Sequence, residues 1–392
     1  MVRSDSQEVL ILIPNMHYDT PVAANIWGRN LARAFAQTGV KPSVLYMGQR
    51  TMQSRVDRYG VEYKALPVLS AWTMGVPKLR ALLLPVFQKK YILCSQGKYK
   101  MIVPLEGPYT VKHEMQKNEW IHEAGSRYFF TILEHPKRNA ASKNAAEYSA
   151  YMKTVANMYD IVLTITDYIK DIYLEYGRTK PTIVNPIIVD TKLYKRSECN
   201  ESEFPISNLL YCGNLCHEEE MGILFREFAL VVKQHPYASL VVIGGGGSRK
   251  HTDVLVSRYR KICKRFKVID SIKFLGRLPH DEVINHYKHA DAFLLPRPFR
   301  EYSEAGFPTK LGEYLATGKP VIAYATGDIP KYLTHKETAY LAMDDNEGTF
   351  ASLVIEAMND RDAYSIGRNG CAVAESSFSI GATAERLGKF FQ

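Results

Sequence analysis

The chain has 392 residues, 46% hydrophobic and 23% charged, a balance that excludes a mainly disordered protein and suits two globular domains. Its six cysteines are scattered through the sequence, which argues against a disulfide framework and for a reducing, cytoplasmic setting. The net charge of +9 is uneven: residues 1–200 carry 27 Lys/Arg against 17 Asp/Glu, residues 201–392 carry 23 against 24, so the first half expects an anionic partner.

In chain order, the first apolar run is Val9–Ile13. It is short, lacks a small-residue cleavage pattern and reads as a strand entering a fold, not as a signal peptide. No stretch reaches the ~18 apolar residues of a membrane span. A polar loop follows at Asn15–Pro21, then a helical pattern from about Val22 to Gln37 closed by Gly39, then a strand at Ser43–Met47. This strand–helix–strand unit predicts a parallel sheet. Further strands are expected at Met101–Leu105, Tyr128–Leu133, Ile161–Ile165 and Thr182–Val184.

The proline-containing polar stretch after residue 190 reads as a linker over 191–206. Alternation then restarts. Strands are expected at Leu209–Cys212, Leu240–Ile243, Ile272–Leu275, Ala292–Leu295 and Val321–Tyr324. Helices are expected at Glu220–Gln234, His251–Lys267, His280–His289 and Lys310–Thr317. Two alternating halves predict two doubly wound domains, 1–190 and 207–376, with 377–392 as a helix crossing back to the first. Ligands of such sheets bind beyond the strands' carboxyl ends.

The segment Leu294–Ala323 carries the chemistry. A strand runs into a loop holding Arg297, Arg300, Glu301, Glu304 and Gly306, and a helix starts at Pro308-Thr309-Lys310. A helix N-terminus offers unpaired amides and partial positive charge to a diphosphate, and Lys310 adds a full charge. Glu313, one turn on, is placed to accept hydrogen bonds from ribose hydroxyls. Gly318-Lys319-Pro320 ends the helix.

This segment resembles the donor-site motif of the retaining glycosyltransferases of family 4, the glycosyl transferases group 1, which have the GT-B architecture of two Rossmann-like domains facing across a cleft. Leu209–Leu215, Ser239–Gly247 and Ile272–Pro296 resemble the family's strands and turns before that motif, and TILEHP, YDIVLTIT and TIVNPIIVD resemble its later N-terminal strands. The resemblance implies transfer of a hexose-type sugar from a nucleotide sugar, UDP- or GDP-linked, to a glycan or lipid-linked acceptor in cell-surface polysaccharide or glycoconjugate synthesis. The nucleotide sugar is a substrate, and neither a cofactor nor a metal is required. It implies donor contacts at Gly213, Asn214, Arg277, Leu278, Arg297, Gly306, Phe307, Pro308, Thr309, Lys310 and Glu313. Catalytic roles fall to His135, Glu304 and Lys310. The acceptor side falls to Asn15, His17, Tyr18 and Asp19.

Three departures stand out. The family's first glutamate falls on Ala305, with Glu304 one place early, so either Glu304 serves or the sugar is gripped differently. The family's phosphate-clamp cations fall on Asn214 and Met221, leaving Lys310, Arg297 or Arg277 to compensate. Its paired N-terminal glycines fall on Pro21 and Val22.

Other patterns are read as structural. Cys212, Cys216 and His217 lack a second ligand pair for zinc. Gly244–Gly247 lack the third glycine of a dinucleotide fingerprint. Asp344-Asp345 and Asp360/Asp362 read as solvated surface. The mixed basic and apolar stretch Met74–Tyr91 suits an anionic membrane surface, so a peripheral location at the inner face of the membrane is expected, and no nucleic-acid partner. The alternatives are a nucleotide-sugar epimerase or hydrolase of the same fold, and a basic non-enzyme that binds membrane or nucleic acid.

Overall fold

The computed structural model describes residues 8–14, 23–47, 53–66, 86, 88–105, 111–133, 145–195 and 205–390. The chain divides into two compact units, Met1–Ile188 with Ile380–Gln392, and Val189–Ser379.

In the first unit the order is β1 (Glu8–Pro14), α1 (Ala23–Gln37), β2 (Lys41–Met47), β3 (Arg55–Val56), β4 (Glu62–Leu66), β5 (Met101–Pro104), α2 (Val111–Glu123), β6 (Arg127–Ile132), α3 (Ala145–Val155), β7 (Ile161–Thr164), α4 (Asp167–Glu175) and β8 (Thr182–Val184). These strands form one sheet ordered β3-β4-β2-β1-β5-β6-β7-β8. Its pairs are parallel except for β3 with β4. The apolar runs lack alternation because both faces of the sheet are covered: Val9 to Ile13 and Met101 to Val103 are all buried. Trp27, Leu31 and Phe35 bury one side of α1 against the sheet. The short strands β3 and β4 were not evident from the apolar pattern.

In the second unit the order is β9 (Asn208–Asn214), α5 (Glu218–Gln234), β10 (Ser239–Gly245), α6 (Arg249–Arg265), β11 (Ile272–Gly276), α7 (His280–His289), β12 (Ala292–Leu295), α8 (Glu301–Ala305), α9 (Thr309–Ala316), β13 (Val321–Tyr324), β14 (Tyr340–Ala342), α10 (Thr349–Asn359) and α11 (Ala363–Val373). The sheet is ordered β11-β10-β9-β12-β13-β14 and all its pairs are parallel. Strand order reverses between β9 and β12, which makes their carboxyl ends the switch point where such sheets hold ligands. Doubly wound parallel sheets thus build both units, as expected.

The last helix, α12 (Ile380–Gly388), belongs to the first unit. Ile380, Ala384 and Leu387 join the α1 core. The buried Asn185 side-chain oxygen accepts from Thr383 Oγ1 at 3.1 Å and Arg386 Nη1 at 2.7 Å. At the start of the irregular stretch, Thr191–Leu193 form a 3-10 turn. Tyr194 is buried in the second unit, stacked on Tyr287.

Candidate functional site

The loop expected between β12 and α9 contains one helical turn, α8, and Gly306 is its C-terminal cap. Gly306 has ordinary extended backbone, so its left-handed freedom is not what is used. Any side chain there would run into the Arg297 guanidinium and Tyr302 O. Arg297 lies over the Tyr302 ring, 5.4 Å from its centroid, and donates to Tyr302 O at 2.5 Å and Ser303 Oγ at 3.3 Å. The guanidinium therefore clamps this turn. Phe307 is buried against Tyr332 and Phe378 and anchors the chain as it enters α9.

Pro308 sits at the N-cap of α9 and makes no side-chain cap, one place before the first-turn position that its sequence context suggested. Thr309 opens the helix, exposed. With no side-chain cap, and with Leu311 N bonded back to Pro308 O at 3.0 Å, the first-turn amides left to solvent or a ligand are those of Thr309 and Lys310.

Lys310 Nζ lies 2.8 Å from Glu313 Oε2, and the Tyr287 hydroxyl donates to the same oxygen at 3.1 Å. Glu313 is buried and the Lys310 side chain is 26% exposed. Burial pulls the Lys310 ammonium down, but the Glu313 carboxylate, with Cys212, more than reverses this, so its pKa stays above the ordinary value and it remains a cation. Burial drives the Tyr287 phenol well above its usual range, so it stays a hydrogen-bond donor. Next to Glu313, the Tyr314 hydroxyl accepts from Cys212 N at 2.7 Å and donates to Cys212 O at 3.0 Å. That pair pins α9 to β9. Tyr314 also stacks on Phe293 of β12, centroids 4.4 Å apart.

Gly213 and Asn214 end β9, in register with Gly244 and Gly245 of β10. The Asn214 side chain accepts from Cys216 N at 3.0 Å, so it shapes the turn leading to α5. Gly244 explains the glycine run: its φ is +138°, and a side chain there would collide with the backbone of Gly213. These glycines let two strand ends touch and are not a dinucleotide fingerprint. Arg277 follows β11, exposed, and donates to Gly246 O at 2.8 Å; Leu278 beside it is half-buried. Glu304, half-buried, accepts from Gly327 N at 3.2 Å, which ties α8 to the loop after β13.

Acidic groups crowd the start of α5. Glu219 pairs with Arg300 Nη2 at 2.6 Å, and Arg300 Nη1 reaches Asp345 at 2.9 Å. Asp344 accepts from Asn346 N and Thr349 Oγ1, and Asp360 accepts from Tyr340. Asp345 and Asp360 are thus engaged groups rather than simply solvated ones. Glu220 is buried beside Arg297, and burial raises its pKa to about 7 against the opposing pull of that arginine. Sequence reasoning missed Tyr287, Tyr314 and Glu220. The first two lie on helix faces that read as plain core, and Glu220 sits inside a run of three glutamates.

Asn15, His17, Tyr18, Asp19 and His135 lie outside the described residues, as does most of Met74–Tyr91. The chain enters those two segments from the carboxyl ends of β1 and β6. Among the described residues no helix is long and apolar enough to cross a membrane, and no group of three or more His, Cys, Asp or Glu side chains is placed to hold a metal ion.

Residues 207–360 match the family model for glycosyl transferases group 1. The GDP-mannose-dependent monoacylated alpha-(1-6)-phosphatidylinositol monomannoside mannosyltransferase of Corynebacterium glutamicum is 29% identical over 175 residues, 43% of this chain and 42% of that protein. The match thus spans less than half of that relative. Among solved structures, sucrose-phosphate synthase from Thermosynechococcus elongatus superposes over 98% of each chain with TM-score 0.73 at 18% identity. The Anabaena protein HepE, solved in complex with UDP and glucose, covers 98% of this chain and 99% of its own with TM-score 0.67 at 14% identity. The chain therefore has the GT-B fold of glycosyltransferases, and residues 207–360 of its second unit are similar to the group 1 glycosyl transferases.

Proposed function

We propose that the chain is a retaining glycosyltransferase that moves a hexose-type sugar from a UDP- or GDP-sugar to a glycan or lipid-linked acceptor. Its place is in cell-surface polysaccharide or glycoconjugate synthesis, at the inner face of the membrane. The observation that carries this reading is the start of α9, where Lys310 stays cationic within 2.8 Å of a Glu313 carboxylate oriented by Tyr287. The donor diphosphate lies against the turn at Gly306–Lys310, and the ribose hydroxyls donate to Glu313.

As the bond from the sugar to the diphosphate breaks, negative charge grows on the leaving group and positive charge on the sugar. A helix N-terminus contributes ~0.3–1 kcal/mol to an adjacent anion, up to ~2 kcal/mol when partly buried. Lys310 supplies more because it is fixed before the reaction starts. The acceptor oxygen bonds the anomeric carbon on the face that the diphosphate leaves, and its proton passes to the departing phosphate. Glu304 and His135 belong to the sugar end of this scheme, and Asn15, His17, Tyr18 and Asp19 to the acceptor. The GDP-mannose dependence of the corynebacterial relative and the UDP held by the Anabaena protein support a nucleotide-sugar donor.

The test supplies UDP- and GDP-hexoses with and without glycan or polyprenyl-linked acceptors. Acceptor-dependent nucleotide release and a product with the donor's anomeric configuration by NMR are expected. Equal release without acceptor favours a hydrolase, interconversion of the nucleotide sugar without net nucleotide release favours an epimerase, and either overturns the proposal.

A further inference from the structure

The second unit is near neutral as a whole, yet one of its helices is strongly basic. Residues 249–265 hold seven Lys/Arg against one Asp/Glu, while the remainder of 201–392 holds sixteen against twenty-three. Helix α6 buries Thr252, Leu255, Tyr259 and Cys263 against the sheet. At about 100° per residue, Lys250, Val254, Arg258, Lys261 and Arg265 all point within about 40° of Val254, opposite the buried side. All five are exposed, Val254 by 55%. The row is straight and, at 1.5 Å per residue, about 23 Å long.

Helix stability accounts for only part of this charge: Lys264 and Arg265 lie in the last turn, where the helix dipole favours cations. The first turn carries Arg249 and Lys250 and no acid, against the preference of the helix dipole. At the other end the left-handed position after the helix, which glycine adopts without steric cost, is held by Lys267 at φ 60°. Among the described residues Arg258 pairs with Glu218, and no ion pair is formed by Lys250, Lys261, Lys264 or Arg265.

We propose that this face of α6 lies on an anionic phospholipid surface. A straight row of cations on a rigid helix meets a flat charged plane at every position at once. Val254 adds an apolar contact in its middle, as in helices that rest in the headgroup layer. The five residues include no aromatic ring to stack on a base and no Asn or Gln to read one. The row begins just past the β10 carboxyl end, on the side of the sheet where Gly213 and the α9 turn open, so the membrane runs beside the donor site. The inference rests on the proposed lipid-linked acceptor, and it is independent of the charge of the first unit.

The test is co-sedimentation of the full chain with phosphatidylcholine vesicles containing or lacking phosphatidylglycerol. Each cation near such a surface is worth about fivefold in binding, and three together about a hundredfold. The triple variant K250Q/K261Q/R265Q is expected to lose about a hundredfold in affinity for the anionic vesicles. A control triple, K233Q/K288Q/R361Q, removes equal charge from other exposed positions of the unit and is expected to bind like the native chain. Equal losses in both triples, or no loss in the first, overturn the proposal. So does a native chain that prefers single-stranded RNA to vesicles. Thermal shift with nucleotide sugars is run in parallel without lipid. Retained vesicle binding with no nucleotide response refutes the transferase reading alone, and the converse refutes this inference alone.

Discussion

The Tyr287 hydroxyl donates to Glu313 Oε2 at 3.1 Å, from α7 to α9, while Lys310 holds the same oxygen at 2.8 Å. One carboxylate oxygen thus has two partners, and the carboxylate plane is set before any ligand arrives. Tyr287→Phe keeps the ring contacts with Tyr194, Phe293 and Tyr314 and removes the hydroxyl, with its contact to the Cys212 side chain and its hydrogen bond to Glu313, the latter worth about 1 kcal/mol. Donor KM is expected to rise about fivefold with kcat little changed. The preference for the ribonucleotide over its 2′-deoxy analogue is expected to shrink. An unchanged KM and an unchanged preference contradict a positioning role for Tyr287.

Lys310→Ala and Glu313→Ala separate charge from orientation. Removing one preorganised donor at a developing anion typically costs about 10²–10³ in kcat, and Lys310→Ala, which removes a donor and its charge, is expected to lose at least that much. Glu313→Ala is expected to weaken donor binding together with turnover. Circular dichroism of both purified proteins checks that they remain folded. Near-normal turnover in both refutes the placement of the donor.

Glu220 makes stability depend on pH. Its folded pKa of about 7 lies above the ordinary carboxylate value because burial disfavours the charged form. The folded state therefore holds the proton more tightly than the unfolded one. The native chain is at its best, relative to a neutral side chain, below pH ~4.5 and loses stability as pH rises through about 7. A shift of this size corresponds to an order of 3 kcal/mol at most. Glu220→Gln is expected to stabilise the second unit more at pH 8 than at pH 5, measured as the shift in urea midpoint. An equal effect at both pH values shows that the carboxyl does not titrate in this window.

Gly244→Ala places a side chain on the Gly213 backbone at φ +138°. Strain of this kind costs at least ~1–3 kcal/mol, and part of it is expected to appear as a displaced β9 turn. The variant should melt lower and show a smaller thermal shift with nucleotide sugars than the native chain. A native-like melting temperature argues that the two strand ends can separate at no cost.

Strands buried on both faces, such as Val9–Ile13 and Ala292–Leu295, are legible because burial removes every polar residue from the run. The α9 start is legible because proline, lysine and glutamate each have a local role there. What hides is any role made by distant residues. Tyr287 becomes a donor to Glu313 only when α7 and α9 meet, 26 residues apart in sequence. The place of Glu304 at the sugar rests on its nearness to a motif alone, whereas the contact its carboxylate makes, a hydrogen bond from Gly327 N that secures the loop after β13, is invisible in the sequence. Strands β3 and β4 escaped notice because the two residues of β3 and the mixed pattern EYKAL carry no period long enough to read.

The most direct measurement is a crystal structure of the chain soaked with UDP- and GDP-hexoses. The account predicts density for the pyrophosphate against the Thr309 and Lys310 amides of the Gly306–Lys310 turn and for the ribose hydroxyls within hydrogen-bond distance of Glu313. A nucleotide bound elsewhere, with that turn bare and Glu313 still closed between Lys310 and Tyr287, contradicts it.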